Sequence, residues 1–107
     1  MNIFQKIINK EIKADIIFED NDHIAFKDIK PERPGHFLVV PKNHSTNLYD
    51  ITDHDLSALI LKARQWALQV TKQMDVQGFH LKINNGKEAG QEVFHTHVHI
   101  IPASKKS

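Results

Sequence analysis

Hydrophobic positions follow helical spacing in two segments of the chain. Near the N-terminus this spacing predicts a short amphipathic helix, formed by Ile3, Phe4, Ile7 and Ile8. A longer apolar stripe predicts a helix from about Asp53 to Met74, with Thr52 as its N-cap. The stripe consists of Leu56, Leu59, Ile60, Ala63, Ala67, Val70 and Met74.

Shorter apolar runs predict five strands, at residues 16–18, 24–26, 36–40, 79–83 and 93–102. The polar residues 19–22 join the first two runs as a hairpin turn, and residues 84–90 form a loop before the last run. A helix, three strands, a second helix and two strands predict an α+β fold with an antiparallel sheet. We expect residues 1–107 to form a single domain.

The composition restricts the classes of partner. The chain has 107 residues, of which 40% are hydrophobic and 25% charged, and its net charge is +1 with neutral histidines. So small a net charge argues against a general nucleic-acid or membrane-surface binder. We interpret Lys105-Lys106 as a solvated tail rather than a binding patch. A chain of this length buries a modest core, which favours an oligomer.

The chain contains no cysteine, which excludes disulfides, thiolate metal sites and cysteine nucleophiles. The N-terminal segment lacks the apolar core of a signal peptide. No apolar stretch approaches the ~20 residues needed to span a bilayer. These features predict a cytoplasmic protein that does not act at a membrane.

The candidate chemistry lies in three closely spaced histidines. Of the eight histidines, His95, His97 and His99 fall within five residues of the last predicted strand. Because residues two apart in a strand share a face, the three imidazoles should line one face, with Thr96 and Val98 on the other. Buried imidazoles need polar partners, so three in register favour a functional cluster over a structural one.

One interpretation of this cluster is a metal site, because imidazole is a common zinc ligand. On a straight strand the Cα atoms of His95 and His99 would lie about 14 Å apart, whereas a metal–nitrogen bond is only about 2.0–2.1 Å long. One ion therefore cannot easily bind all three. A site that uses two of them plus His36 or His80 remains open, although no carboxylate signature accompanies it.

The other interpretation is nucleophilic catalysis at phosphorus. Neutral imidazole, with an ordinary pKa of about 6.5, is abundant at physiological pH and can attack a phosphoryl group. Water then cleaves the resulting phosphoramidate. Neighbouring imidazoles can protonate the leaving group and fix the tautomer of the nucleophile.

The segment His95-Thr96-His97-Val98-His99-Ile100-Ile101 resembles the signature of the histidine triad (HIT) family, His-φ-His-φ-His-φ-φ with φ apolar. Only Thr96 departs from the pattern. Further segments resemble the Hint-type branch of this family, at residues 3–12, 25–31, 34–44, 84–86 and 90–93. The resemblance implies a HIT-like fold with a five-stranded antiparallel sheet, a short N-terminal helix and one long helix.

The resemblance also implies a function. It implies a homodimer whose two sheets join, with a purine nucleotide pocket in each subunit. The implied activity is hydrolysis of the P–N bond of purine nucleoside 5′-phosphoramidates through a covalent nucleotidyl-histidine, which releases AMP or GMP and requires no cofactor or metal. A dinucleoside polyphosphate hydrolase or a nucleotidyl transferase of the same fold is the next alternative. A scaffold with vestigial catalysis and a zinc-binding protein remain open from other classes.

Roles for the catalytic residues follow from the same resemblance. His97 would be the nucleophile, and His99 would contact the phosphate and assist the leaving group. His95 would position the strand, and His36 would lie behind the triad. Asp28 would accept hydrogen bonds from the ribose hydroxyls.

Contacts to the base and to the phosphate are implied in the same way. The apolar slot for the base would consist of Phe26, Ile29, Ile3, Phe4 and Ile7. Asn84 would reach the phosphate, and Gly90, Gln91 and Glu92 would bring backbone N–H groups near it. Glu92 stands where some Hint-type members carry a small hydroxyl residue, so only its backbone contact is expected. We interpret the other histidines as surface or structural residues, namely His23, His44, His54 and His80.

Overall fold

The computed structural model of the protein describes residues 1–104, and Lys105-Lys106 lies outside these described residues. The elements are α1 (Ile3–Ile8), β1 (Ile16–Glu19), β2 (His23–Lys27), β3 (Phe37–Pro41), α2 (Asp53–Met74), β4 (Phe79–Lys82) and β5 (Val98–Pro102). A 3₁₀ turn at Lys87–Ala89 precedes β5. The first four strands begin and end within one residue of their predicted bounds.

The strands form one antiparallel sheet in the order β1-β2-β3-β5-β4. β5, the last strand in the chain, lies inside the sheet, and its pairing with β3 places Leu38 opposite His99. β1 and β4 form the two edges. The predicted fold, with a five-stranded antiparallel sheet, a short N-terminal helix and one long helix, is confirmed.

The central strand β3 explains why the sheet has two apolar faces. Phe37 and Val39 pack against α2 in one hydrophobic core, and Leu38 and Val40 pack against α1 in a second core on the opposite face. Side chains alternate along a strand, so a strand that is covered on both faces must be apolar at every position. The unbroken apolar run of β3 is therefore required by its place between the two helices.

Side-chain caps fix the start of both helices. The Thr52 hydroxyl accepts a hydrogen bond from the Asp55 N–H at 3.1 Å, which confirms the predicted N-cap of α2. At α1, the Asn2 side chain accepts from the Gln5 N–H at 2.9 Å, and the Gln5 side chain accepts from the Asn2 N–H at 2.8 Å. Such a reciprocal pair stabilises a helix too short to form alone. Within residues 1–104, neither helix has the length and apolar character needed to cross a membrane.

The prediction for the last strand is wrong over residues 93–97, which form an irregular segment before β5. The backbone groups of this segment bond outside the sheet. The Thr96 N–H donates to the Ser45 carbonyl at 2.8 Å, and the Val93 carbonyl accepts from the Gln91 side chain at 3.0 Å. Backbone groups that bond to these partners are not available to extend the hydrogen-bond ladder of β5. Of the three clustered histidines only His99 lies in β5, so strand alternation does not place His95 and His97.

Candidate active site

His97 lies in the irregular segment immediately before β5 and is 6% exposed. Its Nδ1 is 2.7 Å from the His95 carbonyl oxygen. Because a carbonyl only accepts, Nδ1 carries the hydrogen and Nε2 of the neutral ring keeps a lone pair. Burial lowers the pKa of His97, against the opposing effects of the His95 carbonyl and the Asp28 charge. The ring is therefore neutral near pH 7 and has the tautomer required of a nucleophile.

His95 connects this segment to the rest of the fold and is fully buried. Its Nε2 donates to the Pro41 carbonyl at 2.7 Å, at the end of β3. Its Nδ1 lies 3.5 Å from the side-chain nitrogen of Asn2, the N-cap of α1. Burial lowers the pKa of His95. The structure thus gives His95 contacts that connect the irregular segment to β3 and to the start of α1.

His44 borders the cluster, although the sequence analysis claimed no function for it. Its ring lies edge-on to His95 with centroids 4.9 Å apart, and its Nε2 is 3.1 Å from the Phe94 carbonyl. No spacing rule connects position 44 with position 95, so periodicity could not have revealed this contact.

His36 and His99 form a hydrogen-bonded pair. The Glu32 N–H donates to His36 Nδ1 at 3.0 Å, so the hydrogen of a neutral His36 must be on Nε2. That Nε2 is 3.0 Å from His99 Nδ1 and donates to it. The hydrogen of a neutral His99 is therefore on Nε2. Burial lowers the pKa of His99 to about 4, aided by the positive charges of His97 and His36, while Asp28 opposes the shift.

Asp28 directly follows β2 and lies beside this pair. Its Oδ1 accepts from the Lys30 N–H at 2.9 Å, which forms a local turn. Its Oδ2 is 3.5 Å from His36 Nε2 and 3.9 Å from His99 Nδ1. The pairing of Leu38 with His99 across β3 and β5 brings the three side chains together from distant parts of the sequence.

Asp28, His36 and His99 also lie close enough together to hold a metal ion, and Asp28 supplies the carboxylate that the sequence did not reveal. The hydrogen bonding of His36 opposes this use. A histidine that binds a metal through Nε2 carries its hydrogen on Nδ1 and donates it to an acceptor. Here Nδ1 faces the Glu32 N–H, which is a donor. The arrangement therefore suits a chain of hydrogen bonds better than metal ligation, and His80 is exposed on β4.

The five residues expected to form the base slot fall into two groups. Phe4, Ile7 and Phe26 are buried in the core under α1, where Phe4 lies edge-on to His97 with ring centroids 4.9 Å apart. Ile3 and Ile29 are 48% and 89% exposed. Of the five residues, only Ile3 and Ile29 therefore present accessible apolar surface.

The loop before the triad differs from the expectation for its backbone. The Gly90 N–H donates to the Lys87 carbonyl at 3.0 Å, and the Gln91 N–H donates to the Gly86 carbonyl at 3.1 Å. Both N–H groups are therefore used within the turn. The backbone N–H of Glu92, an exposed residue, has no hydrogen-bond partner within residues 1–104. Asn84 is partly buried just after β4.

The Gln91 side chain has a structural role that sequence reasoning missed. Its Oε1 accepts from the Asn47 side chain at 3.0 Å and from the Gly86 N–H at 2.8 Å. Its Nε2 donates to the carbonyls of Thr46 and Val93 at 2.7 and 3.0 Å. All donors and acceptors of this buried amide are thus satisfied, and together they join the loop after β3 to the segment that carries the triad.

Comparison with known proteins agrees with this fold. The HIT domain family model matches residues 9–106. The chain belongs to the HIT domain family. It is 56% identical over 104 residues to a HIT-like protein of Mesomycoplasma hyorhinis, which covers 97% of this chain and 94% of the relative.

Two solved HIT structures superimpose closely on this HIT domain. A hypothetical histidine triad nucleotide-binding protein from Sulfolobus tokodaii has a TM-score of 0.92 at 35% identity, covering 97% of this chain and 70% of that one. A HIT family hydrolase from Clostridium thermocellum has a TM-score of 0.86 at 33% identity, covering 99% and 93%.

We predict that Gln91→Glu lowers the free energy of unfolding by about 2–4 kcal/mol, because it removes donors to two carbonyls and buries a carboxylate against them. Urea unfolding at pH 7.5 measures the effect. The control is Glu92→Gln at the exposed neighbouring position, which should change stability by less than about 0.5 kcal/mol. Equal effects of the two substitutions would contradict the role given to the Gln91 side chain.

We predict that the protein loses stability as the pH falls from about 6.5 towards 4. Burial lowers the folded-state pKa of His23, His95, His97 and His99, so the unfolded chain, with an ordinary histidine pKa of about 6.5, takes up protons first. Stability is therefore present above that pH and is lost below it.

His99 alone should account for about 2 kcal/mol of the loss between pH 7.5 and 5, since its folded-state pKa is about 4. His99→Gln should reduce the pH dependence of the unfolding free energy by this amount, as measured with urea at both pH values. His80→Gln, on the exposed side of β4, should leave it unchanged. An unaltered pH dependence in His99→Gln would show that folding does not shift the pKa of His99.

Proposed function

We propose that this HIT domain is a nucleotide hydrolase of the Hint type, which cleaves the P–N bond of purine nucleoside 5′-phosphoramidates and releases AMP or GMP. The observation that carries the proposal is the 2.7 Å contact of His97 Nδ1 with the His95 carbonyl, which leaves the Nε2 lone pair of a neutral ring available for attack. The similarity to a HIT family hydrolase and to a histidine triad nucleotide-binding protein supports the same assignment. A cytoplasmic location is part of the proposal.

In the first step, His97 Nε2 attacks the α-phosphorus, the new N–P bond forms, and the P–N bond to the amine breaks. The amine must gain a proton as it leaves. His99 Nε2 can deliver that proton when the His36–His99 pair holds one proton more than its neutral form. The nucleotide remains on His97, which keeps its Nδ1 hydrogen and its bond to the His95 carbonyl.

In the second step, water attacks the phosphorus of the nucleotidyl-histidine and the N–P bond to His97 breaks. The proton released by the water returns to the His36–His99 pair, so the pair ends the cycle as it began. The nucleoside monophosphate leaves and His97 is again neutral. The cycle consumes one water, and no metal or cofactor enters it.

We expect His97→Ala to slow AMP release from an adenosine phosphoramidate at least about 10³-fold, because the covalent route is lost with its nucleophile. AMP-morpholidate and a fluorogenic tryptamine adduct are suitable substrates. His80→Ala on the exposed side of β4 serves as the control and should retain activity.

Mass spectrometry of the quenched wild-type reaction should find AMP attached to His97. Equal rates for wild type and His97→Ala would exclude His97 as nucleophile. Activity abolished by a chelator, with about one zinc per subunit, would favour the zinc alternative.

We also propose that the chain forms a homodimer through the edge strand β4. An edge strand offers unpaired backbone groups to another strand, and Leu81 on β4 is 38% exposed. Leu61 and Leu68 of α2 are 57% and 55% exposed and lie seven residues apart, on one side of the helix. Both surfaces suit a second copy.

Sedimentation equilibrium should give twice the chain mass of 12.3 kDa. Leu81→Lys should shift the equilibrium towards monomer by introducing charge at the proposed contact. Ile16→Lys places the same charge on β1, the opposite edge, and should leave the dimer intact. A monomer at every concentration, or dissociation by Ile16→Lys alone, would contradict this interface.

A further inference from the structure

The proposed chemistry requires an extra proton that the histidine cluster binds poorly. A neutral His99 cannot donate its Nε2 hydrogen without becoming an anion, so the His36–His99 pair must first take up a proton. Burial and the neighbouring imidazoles oppose this uptake and lower the pKa of His99 to about 4, while the Asp28 charge acts in the opposite direction. Without a nearby negative charge the protonated pair would be still less accessible.

Asp28 is placed to supply that charge. Its side chain is 18% exposed, and the side chains of His36 and His99 are 3% and 15% exposed, so solvent screens their interaction only weakly. The Oδ2 atom approaches the two nitrogens that share a hydrogen, His36 Nε2 at 3.5 Å and His99 Nδ1 at 3.9 Å. The turn formed by Oδ1 with the Lys30 N–H holds the carboxylate in this orientation.

We propose that Asp28 is a positioning residue for the acid of the reaction, in which its carboxylate stabilises the additional proton on the His36–His99 pair that His99 delivers to the leaving amine. This proposal rests on the proposed function and deepens it. The family resemblance implies that Asp28 binds the ribose hydroxyls. That role alone does not require the Asp28 carboxylate to lie close to the imidazoles of His36 and His99. One carboxylate would then connect nucleoside binding to the proton supply.

The other charged and titratable groups around the His36–His99 pair do not supply the negative charge that Asp28 supplies. His97 contributes a like charge when protonated, and Lys82 of β4, opposite His99, is a cation that also lowers its pKa. Glu32 offers its N–H to His36, while its carboxylate pairs with Lys82 at 3.1 Å and is 55% exposed. Asp28 is therefore the carboxylate that lies beside both facing nitrogens of the pair.

The test compares wild type with Asp28→Asn. The asparagine Oδ1 can still accept from the Lys30 N–H, so the turn is kept while the charge is removed. In the ligand-free protein, NMR titration of the His99 ring should show its pKa lowered by roughly one unit. Asp28→Ser provides a second neutral variant if asparagine impairs folding. Asp15→Asn removes a carboxylate that is 69% exposed and should leave the titration of His99 unchanged.

Kinetics separate this role from ribose binding. Asp28→Asn should lower kcat about tenfold at pH 7, with the same factor for an adenosine phosphoramidate and for its 2′,3′-dideoxy analogue. Its kcat should recover at lower pH. A defect confined to KM and absent with the dideoxy analogue would assign Asp28 to ribose binding alone and overturn the proposal.

An unchanged His99 titration in Asp28→Asn would also overturn the proposal. If wild type releases no nucleotide from any phosphoramidate, the proposed function fails. The NMR titration in the absence of substrate still decides whether Asp28 stabilises the protonated pair, so the two failures are distinguishable.

Discussion

The site depends on the fixed orientation of imidazole rings by backbone groups. The His95 carbonyl accepts from His97, the Pro41 carbonyl accepts from His95, and the Glu32 N–H donates to His36. A backbone carbonyl cannot donate and a backbone N–H cannot accept, so each contact determines which ring nitrogen carries the hydrogen. The irregular segment before β5 contributes here, because the His95 carbonyl lies outside the strands and accepts from His97.

An irregular segment inside a small fold needs partners for its own polar groups. The saturated amide of Gln91 supplies some of them, and Thr96 bonds to Ser45 through both its backbone N–H and its hydroxyl. These hydrogen bonds offset the free-energy cost of desolvating the buried polar groups, and they favour one conformation of the segment. The departure of Thr96 from the apolar triad pattern therefore has a structural explanation, since its hydroxyl lies 2.5 Å from that of Ser45 and away from the reacting atoms.

Periodicity was sufficient for most of the fold, but it did not reveal the contacts between the candidate site residues. The apolar stripe of α2 and the run of β3 are local patterns, and their elements are observed where predicted. The start of β5 depends on bonds to Ser45 and Gln91, and the meeting of Asp28, His36 and His99 depends on the β3–β5 register. Interactions between residues so far apart in the chain leave no spacing to detect. The Gly90 and Gln91 N–H groups differ in this respect, because they bond to Lys87 and Gly86 within a local turn.

In the proposed mechanism, the nucleophile and the acid place opposite demands on one buried cluster. Burial lowers the pKa of His97, which keeps its lone pair free for attack at neutral pH. The same burial disfavours the protonated form of His99, so conditions that favour attack weaken the acid. The Asp28 carboxylate, whose Oδ2 lies 3.9 Å from His99 Nδ1, opposes this effect at His99. In the proposed mechanism, the separation of the two roles follows from where the Asp28 carboxylate lies. The Glu32 N–H donates to His36 Nδ1 and thereby favours a chain of hydrogen bonds over metal binding.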